Sequence, residues 1–488
     1  MNFNSLAFLV FLPVVLILYS LTPKKFRYIV LLAASYFFYM QWNVWLGFLM
    51  LAVTAAAYIS AILIERTSSA ALRKTLLAFT LILCFGVLLV FKYLNFILSG
   101  IVGAINIFGG KAEYSPLNII LPVGISFYTF QSLSYVIDVY RRDIKAEKHF
   151  GYFALFVSFF PQLVAGPIER PENLLPQLKA CPDATQSDLR TGAKYMISGF
   201  IKKVAIADLC ALIVNPVYES YAERSGFALI VATILFAIQI YCDFSGYSEI
   251  ALGCASLMGI KLMKNFDSPY LATDIRDFWR RWHISLTKWF TDYLYIPLGG
   301  SRKGRLRTYI NTFIVFMVSG LWHGANLTFV AWGCIHGIYL IISRAISPLK
   351  KKIKELLKTD GKPLYRAVSV AATFFLVCFA WIFFRSESIS AAWTITVKIF
   401  CGPFDFSDML AADIPPLLFA YIPIAIAILA VIRKLPQPHG ALYMACRKAV
   451  SYNVSVATLY FVAVVFIAVS WASLSSLNGV SQFIYFQF

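Results

Sequence analysis

The chain has 488 residues, of which 60% are hydrophobic and 14% charged, and a formal net charge of +19. Soluble domains carry about 25% charged residues, and a soluble fold of this length needs more polar side chains to cover its surface, so the composition points to a protein solvated by lipid. The excess of Lys and Arg does not read as a nucleic-acid face, because these residues sit in short clusters between apolar runs. The 43 Phe and 27 Tyr fit helices packed in lipid, with Tyr and Trp at the interfaces.

A spanning helix needs about 20 mostly apolar residues. Candidates lie near 3–21, 27–41, 44–64, 75–98, 118–140, 150–165, 192–218, 227–258, 309–346, 366–385, 412–432 and 453–474, some too short or too long for one plain span. The first segment is not a simple signal peptide, since its positive charges follow the apolar stretch. Lys24, Lys25 and Arg27 follow the first span, Arg66, Arg73 and Lys74 the third, and Arg141, Arg142, Lys145 and Lys148 the fifth. The loop 99–117 is nearly free of such charge. The positive-inside rule then puts the N-terminus outside and these clusters in the cytoplasm. The clusters Arg276 to Arg307, Lys350 to Lys358, and Arg433–Lys434 with Arg447 and Lys448 fall on the same side, and a last span returns the C-terminus to the outside.

Two stretches depart from plain spans. Phe159-Phe160-Pro161 to Gly166-Pro167 breaks helix twice, and broken backbone at membrane depth needs a covering of protein or a water-filled cavity. This predicts a re-entrant segment at 150–168. The segment 309–346 is basic on both flanks and holds Ser319-Gly320-Leu321-Trp322-His323-Gly324-Ala325-Asn326 at its middle. A helical limb from Tyr309 to Trp322 rises about 21 Å, short of the roughly 30 Å core. The expectation is a hairpin with His323 at a tip inside the membrane, Gly320 and Gly324 allowing the turn.

His323 is the first candidate for chemistry. A titratable side chain at bilayer depth is costly and marks a functional site by default, and imidazole accepts a proton at neutral pH; a structural histidine bonded to a carbonyl is the alternative. His283 lies in Asp277-Phe278-Trp279-Arg280-Arg281-Trp282-His283-Ile284-Ser285-Leu286-Thr287, which also reads as an interfacial helix gripping headgroups. His336 reads as helix packing, and His149 and His439 as loop residues. In Gln239-Ile240-Tyr241-Cys242-Asp243-Phe244-Ser245-Gly246-Tyr247-Ser248-Glu249, the two buried carboxylates need partners. They either bind substrate or pair with the arginines near 280, and pairing is favoured. The nine Cys show no ligand spacing, so neither disulfides nor a metal is expected. The tail Phe483-Ile484-Tyr485-Phe486-Gln487-Phe488 is aromatic where free ends are usually polar. It reads as an interface anchor or as a segment inserted into the protein itself.

These motifs, with Tyr293-Leu294-Tyr295-Ile296-Pro297-Leu298-Gly299-Gly300 and Leu121-Pro122-Val123-Gly124-Ile125-Ser126-Phe127-Tyr128-Thr129-Phe130-Gln131, are similar to those of membrane-bound O-acyltransferases of the bacterial alginate-acetylase and peptidoglycan-acetylase type. They cover most of 118–340 in the expected order; Cys242 stands where that family has an aromatic. The resemblance implies an all-α polytopic fold of about 11 spanning helices, with re-entrant and amphipathic helices around a central funnel closed by a thin floor. It implies one domain over 1–488, a catalytic core at 118–340 and an acyl-carrier-like tail at 475–488. The family histidines fall on His323 and His283. Arg280 and Arg281 are implied donor contacts, and Trp282, Asn326, Asp243 and Tyr247 further substrate contacts. The donor implied is acetyl-CoA, with no bound cofactor. The implied partner is a periplasmic SGNH-type or related polysaccharide O-acetyltransferase, in a bacterial inner membrane with both termini periplasmic.

The tail is similar to the C-terminal motif of the small partner protein in teichoic-acid D-alanylation, which places Tyr485 in an acyl-carrier role. Thiols ionise near 8.5 and phenols near 10, and sugar hydroxyls higher still, so thioester to tyrosyl ester to sugar ester runs downhill. His323 then acts as general base on Tyr485, and His283 orients groups or assists the second transfer. Alginate, peptidoglycan, cellulose and other exopolysaccharides stay open as acceptors. Two other readings are a transporter or flippase, for which no repeat relates the two halves, and D-alanyl transfer, against which the Tyr-Ile-Pro-Leu-Gly-Gly stretch weighs.

Overall fold

The computed structural model describes residues 1–356, 362–405, 408, 421–427, 429, 464, 467–468 and 483. The elements assigned among them are all helical. In chain order α1 (Leu6–Leu21), α2 (Lys24–Met40) and α3 (Val44–Arg66) precede α4 (Ala70–Leu88), which a π-helical turn at Leu89–Tyr93 joins to α5 (Leu94–Ile107). Then come α6 (Ile125–Arg141), α7 (Phe150–Ser158), α8 (Phe160–Leu163) and α9 (Pro171–Ala180). A second π-helical stretch, Ile201–Ala207, links α10 (Gln186–Phe200) to α11 (Asp208–Glu219), and α12 (Gly226–Leu257) follows. The short α13 (Ile275–Arg281) and α14 (Ile284–Phe290), with a π-turn at Thr291–Tyr295, lead to α15 (Gly304–His323) and α16 (Leu327–Ala345). The last are α17 (Ser347–Leu356), α18 (Pro363–Arg385) and α19 (Ile389–Cys401).

Helix starts follow local chemistry. Ser5, Asn43, Ser69 and Ser388 cap α1, α3, α4 and α19 by accepting a hydrogen bond from a first-turn N–H, as short polar side chains do. Five helical stretches among the described residues are long and apolar enough to cross a bilayer: Val44–Arg66, Ala70–Ile107, Gly226–Leu257, Leu327–Ala345 and Pro363–Arg385. Ile82 and Phe375 stand more than half exposed along these helices, and Val10 along the shorter apolar α1, which lipid rather than water explains. The candidate at 118–140 begins as helix only at Ile125, because Gly124 takes a left-handed φ of 74°. The candidates at 412–432 and 453–474 lie largely outside the described residues, as do the basic pairs near 433 and 447.

The break in the 150–168 segment falls at Phe159, whose ψ is 107°, and Pro161 sits in the first turn of α8, where no helix donor is lost. Neighbouring side chains satisfy the opened backbone. The Phe160 N–H donates to Ser35 Oγ at 3.1 Å, and the amides of Gln131 and Gln162 donate to the Phe156 carbonyl at 2.7 and 2.8 Å. Residues 153–169 are all buried, so protein covers the irregular backbone as membrane depth demands.

The described residues form two compact units, one of residues 1–185 with 258–370, the other of 186–257 with those from 371 onward. In the first, α3 packs on α4 and α6, and α15 on α16. In the second, α12 packs against α10, α11 and α19. There the two carboxylates of α12 take lysine partners, where the sequence had favoured the arginines near 280. Lys203 Nζ meets Asp243 Oδ1 at 2.6 Å and Asp208 Oδ1 at 2.8 Å. Glu249 pairs with Lys202 and accepts from Ser198 Oγ at 2.6 Å. The π-helical stretch Ile201–Ala207 buries both lysines on α12.

Candidate active site

The hairpin anticipated at 309–346 is α15 and α16, joined by Gly324, Ala325 and Asn326. The first limb starts at Gly304 rather than Tyr309 and has 20 residues, a rise of about 30 Å. That matches the hydrocarbon core, so a short limb does not hold the tip at mid-bilayer. Gly320 lies inside α15 and has a packing role rather than a turn role: a Cβ there would stand 2.2 Å from the Phe329 carbonyl oxygen, and one at Gly333 2.2 Å from that of Phe316. The two helices touch backbone to backbone. Gly324 is extended, and its smallness admits the Phe329 ring, 2.1 Å from where a Cβ would be. Asn326 caps α16, its Oδ1 accepting from the Thr328 N–H at 3.0 Å.

His323 is the last residue of α15 and is 3% exposed. His283 sits between α13 and α14 with a left-handed φ of 44° and no exposure. A bulky residue there is strained, and the flanking chain over-determines the turn. The Asn265 carbonyl accepts from the Ile284 N–H at 2.9 Å, and its side-chain oxygen from Ser285 Oγ at 2.6 Å. Ser285 Oγ in turn accepts from the Ile168 N–H at 3.0 Å, tying the turn to the broken segment. The result is a pair of imidazoles with centroids 6.3 Å apart. Trp322 and Trp332 lie 5.0 and 5.1 Å from the His323 ring, and Phe127 6.5 Å from His283.

A cavity of about 550 Å³ is lined by Ile284, the residue after His283, while the two imidazoles themselves are buried and do not line it. Arg276, Arg280, Lys288 and Arg344 supply its charges, Trp279 is among its apolar lining, and Ser319, one helical turn before His323, lines it too. Of the anticipated donor contacts, Arg280 lines the cavity, while Arg281 pairs with Asp277 at 2.9 Å. Trp282 is fully buried, stacked on Phe278 and set edge-on to Phe266. His336 packs parallel to Phe278, and its Nδ1 accepts from Trp279 Nε1 at 3.2 Å.

Asp243 and Tyr247 belong to the second unit, where Asp243 holds Lys203 and the Tyr247 ring meets Phe483 at 4.8 Å. Tyr485 lies outside the described residues. Sequence reasoning assigned no role to Phe127, Asn265 or Lys92. The motif around Phe127 was visible, but nothing in it pointed to a partner. A lysine in an apolar run, as at Lys92, is a signal that was passed over.

A polytopic helical chain with two paired, buried imidazoles and a basic, apolar-bodied cavity fits enzymes that pass acyl groups within a membrane. The profile of the membrane-bound O-acyltransferase family, MBOAT, matches residues 42–389, and the chain belongs to that family. It is an O-acyltransferase with an all-helical polytopic membrane fold. It is 40% identical over 438 residues to a probable alginate O-acetylase of Azotobacter vinelandii, covering 88% of this chain and 84% of the relative. A protein of the same description from Pseudomonas syringae pv. tomato is 38% identical over 436 residues, with 88% and 81% covered. A peptidoglycan O-acetyltransferase of Helicobacter pylori is 35% identical over 423 residues, with 80% and 78% covered.

Proposed function

We propose that this protein, in a bacterial inner membrane, carries acetyl groups from cytoplasmic acetyl-CoA through a tyrosyl ester on Tyr485 to an extracytoplasmic polysaccharide. The observation that carries the reading is the pair of buried imidazoles, His283 and His323, together with a cavity that has four cationic side chains and is lined by Ile284 and Ser319 from the same two segments. Guanidinium groups suit phosphate oxygens, and coenzyme A bears three phosphates on an otherwise long, thin arm. The names of the relatives support an envelope polymer such as alginate or peptidoglycan as acceptor.

In this mechanism His323 takes the phenolic proton as Tyr485 Oη attacks the thioester carbonyl. The C–S bond breaks, an O–acyl bond forms, and the thiolate leaves with the proton from the imidazolium. Outside, a hydroxyl of a periplasmic SGNH-type or related transferase attacks the tyrosyl ester, and the phenol is regenerated. His283 orients the reacting groups. The burial of Phe483 against Tyr247 and Phe244, two residues before Tyr485, supports a tail seated in protein. Arg281, Trp282 and Asn326 serve this proposal as supports of the site rather than as its chemistry, while Asp243 and Tyr247 belong to the second unit, where they hold Lys203 and Phe483.

Membranes holding the full chain and supplied with radiolabelled acetyl-CoA test it. The chain should acquire label in the wild type and lose it in His323→Ala and Tyr485→Phe, with each variant present at normal level. Near-normal transfer by His323→Ala refutes the base assignment, and full activity in Tyr485→Phe reduces the tail to an anchor.

A further inference from the structure

An α-helix leaves its last carbonyls without intrahelical donors, and α15 ends on His323. Three of those carbonyls are satisfied from another helix by two adjacent side chains. The Lys92 ammonium donates to the carbonyls of Trp322 at 2.7 Å and His323 at 3.0 Å. The Tyr93 hydroxyl donates to the carbonyl of Leu321 at 3.0 Å. Lys92 Nζ also stands 5.9 Å from the centroid of the Trp322 ring, whose face attracts cations.

Two further observations set this contact apart from an ordinary cap. Lys92 and Tyr93 lie in the π-helical turn Leu89–Tyr93, which interrupts a 38-residue apolar stretch, Ala70–Ile107. Such turns are rare and recur at functional sites, and here the turn carries both donors. An ionisable side chain in an apolar span is costly and by default serves a function. The cation meets the negative end of the α15 dipole at the residue that bears the imidazole.

We propose that Lys92 and Tyr93 are positioning residues, which hold the last three carbonyls of α15 and thereby fix the His323 imidazole relative to His283. They act through His323 and touch no substrate. The inference rests on the base role of His323 proposed above. A base displaced by about 1 Å loses a large part of its rate, while donor binding in the cavity is left alone.

Steady-state transfer from acetyl-CoA and thermal melting, measured on the full chain purified in detergent, test the clamp. Lys92→Met should lower kcat about tenfold or more, with KM for acetyl-CoA within about twofold of wild type. Lys92→Arg, which keeps a cationic donor, should restore most of the rate, and Tyr93→Phe should lose less than Lys92→Met. A wild-type kcat in Lys92→Met overturns the proposal, and so does a rise in KM that accounts for the whole loss. If Lys92→Met does not accumulate, an unchanged kcat in Tyr93→Phe overturns it. His323→Ala, run in parallel, separates the two claims. Activity in that variant removes the base assignment, whereas an inactive His323→Ala beside a fully active Lys92→Met removes the clamp alone.

Discussion

The imidazole of His323 faces that of His283 at 6.3 Å between centroids, with the ring planes 80° apart. One ring is carried by the end of a long helix, the other by a strained turn between two short ones. The pairing therefore depends on separate supports for the two rings, among them the close packing of α15 on α16 and the bracing of the His283 turn by Asn265.

Replacing His283 by Asn separates its chemistry from its backbone. Asn tolerates the left-handed conformation better than most residues, so His283→Asn should fold and melt near wild type. Without the ring that orients the reacting groups, transfer should fall by about 10². A rate within a few-fold of wild type in labelled-acetyl assays would leave His283 a packing residue.

The α15–α16 contact should tolerate no added methyl. Gly320→Ala and Gly333→Ala each drive a Cβ into a carbonyl oxygen, and overpacking of this kind costs about 1–3 kcal/mol. Both variants should melt earlier and lose activity. Gly86→Ala, whose Cβ meets nothing within 4 Å, should be neutral or gain up to about 1 kcal/mol as a helix substitution. Equal melting temperatures for all three would contradict the packing account.

The cationic cavity predicts a salt-dependent KM. Arg276→Ala, Arg280→Ala and Lys288→Ala should each raise KM for acetyl-CoA a few-fold, and kcat should change less. These side chains are exposed, so the effect should shrink as salt rises past the Debye regime of about 10 Å at 0.1 M. An unchanged KM in the triple variant would place the donor elsewhere.

Glu169 supplies a pH signature. Burial pushes its carboxyl from an ordinary 4.5 up to about 7, although it accepts from the Met263 N–H and from Asn173. The folded state thus holds a proton that the unfolded chain has released. Its contribution to stability is complete below about pH 4.5 and is lost as pH rises through about 7. Melting curves of wild type and Glu169→Gln between these limits should diverge as pH increases, the wild type losing more. Parallel curves would show that the carboxyl titrates as usual.

Much of this architecture was legible in the residues. The hairpin around His323 followed from one histidine between glycines with basic flanks, and the broken segment followed from Pro161 and Pro167. Family membership followed from the order of motifs between 118 and 340. Other features were not legible, for physical reasons. No local pattern says that His283 adopts a left-handed turn or that Asn265 braces it, since both depend on chain returning from elsewhere. Gly320 read as a turn residue because spacing alone does not show a neighbouring helix. Asp243 and Glu249 were seen to need cations, but the π-helical stretch that presents Lys202 and Lys203 has no signature in composition.

The lysine–carboxylate cluster on α12 also bears on how the chain is made. Lys202 and Lys203 are each worth about 2.5–3.5 kcal/mol against partitioning into hydrocarbon; Asp208 on α11 is already at hand for Lys203, but Glu249, the partner of Lys202, and Asp243 are synthesised later, on α12. A nascent α10–α11 segment released by itself into the bilayer would leave Lys202 without its carboxylate. Biogenesis therefore favours holding it in the insertion machinery until α12 emerges, so that each lysine enters the bilayer with a carboxylate partner.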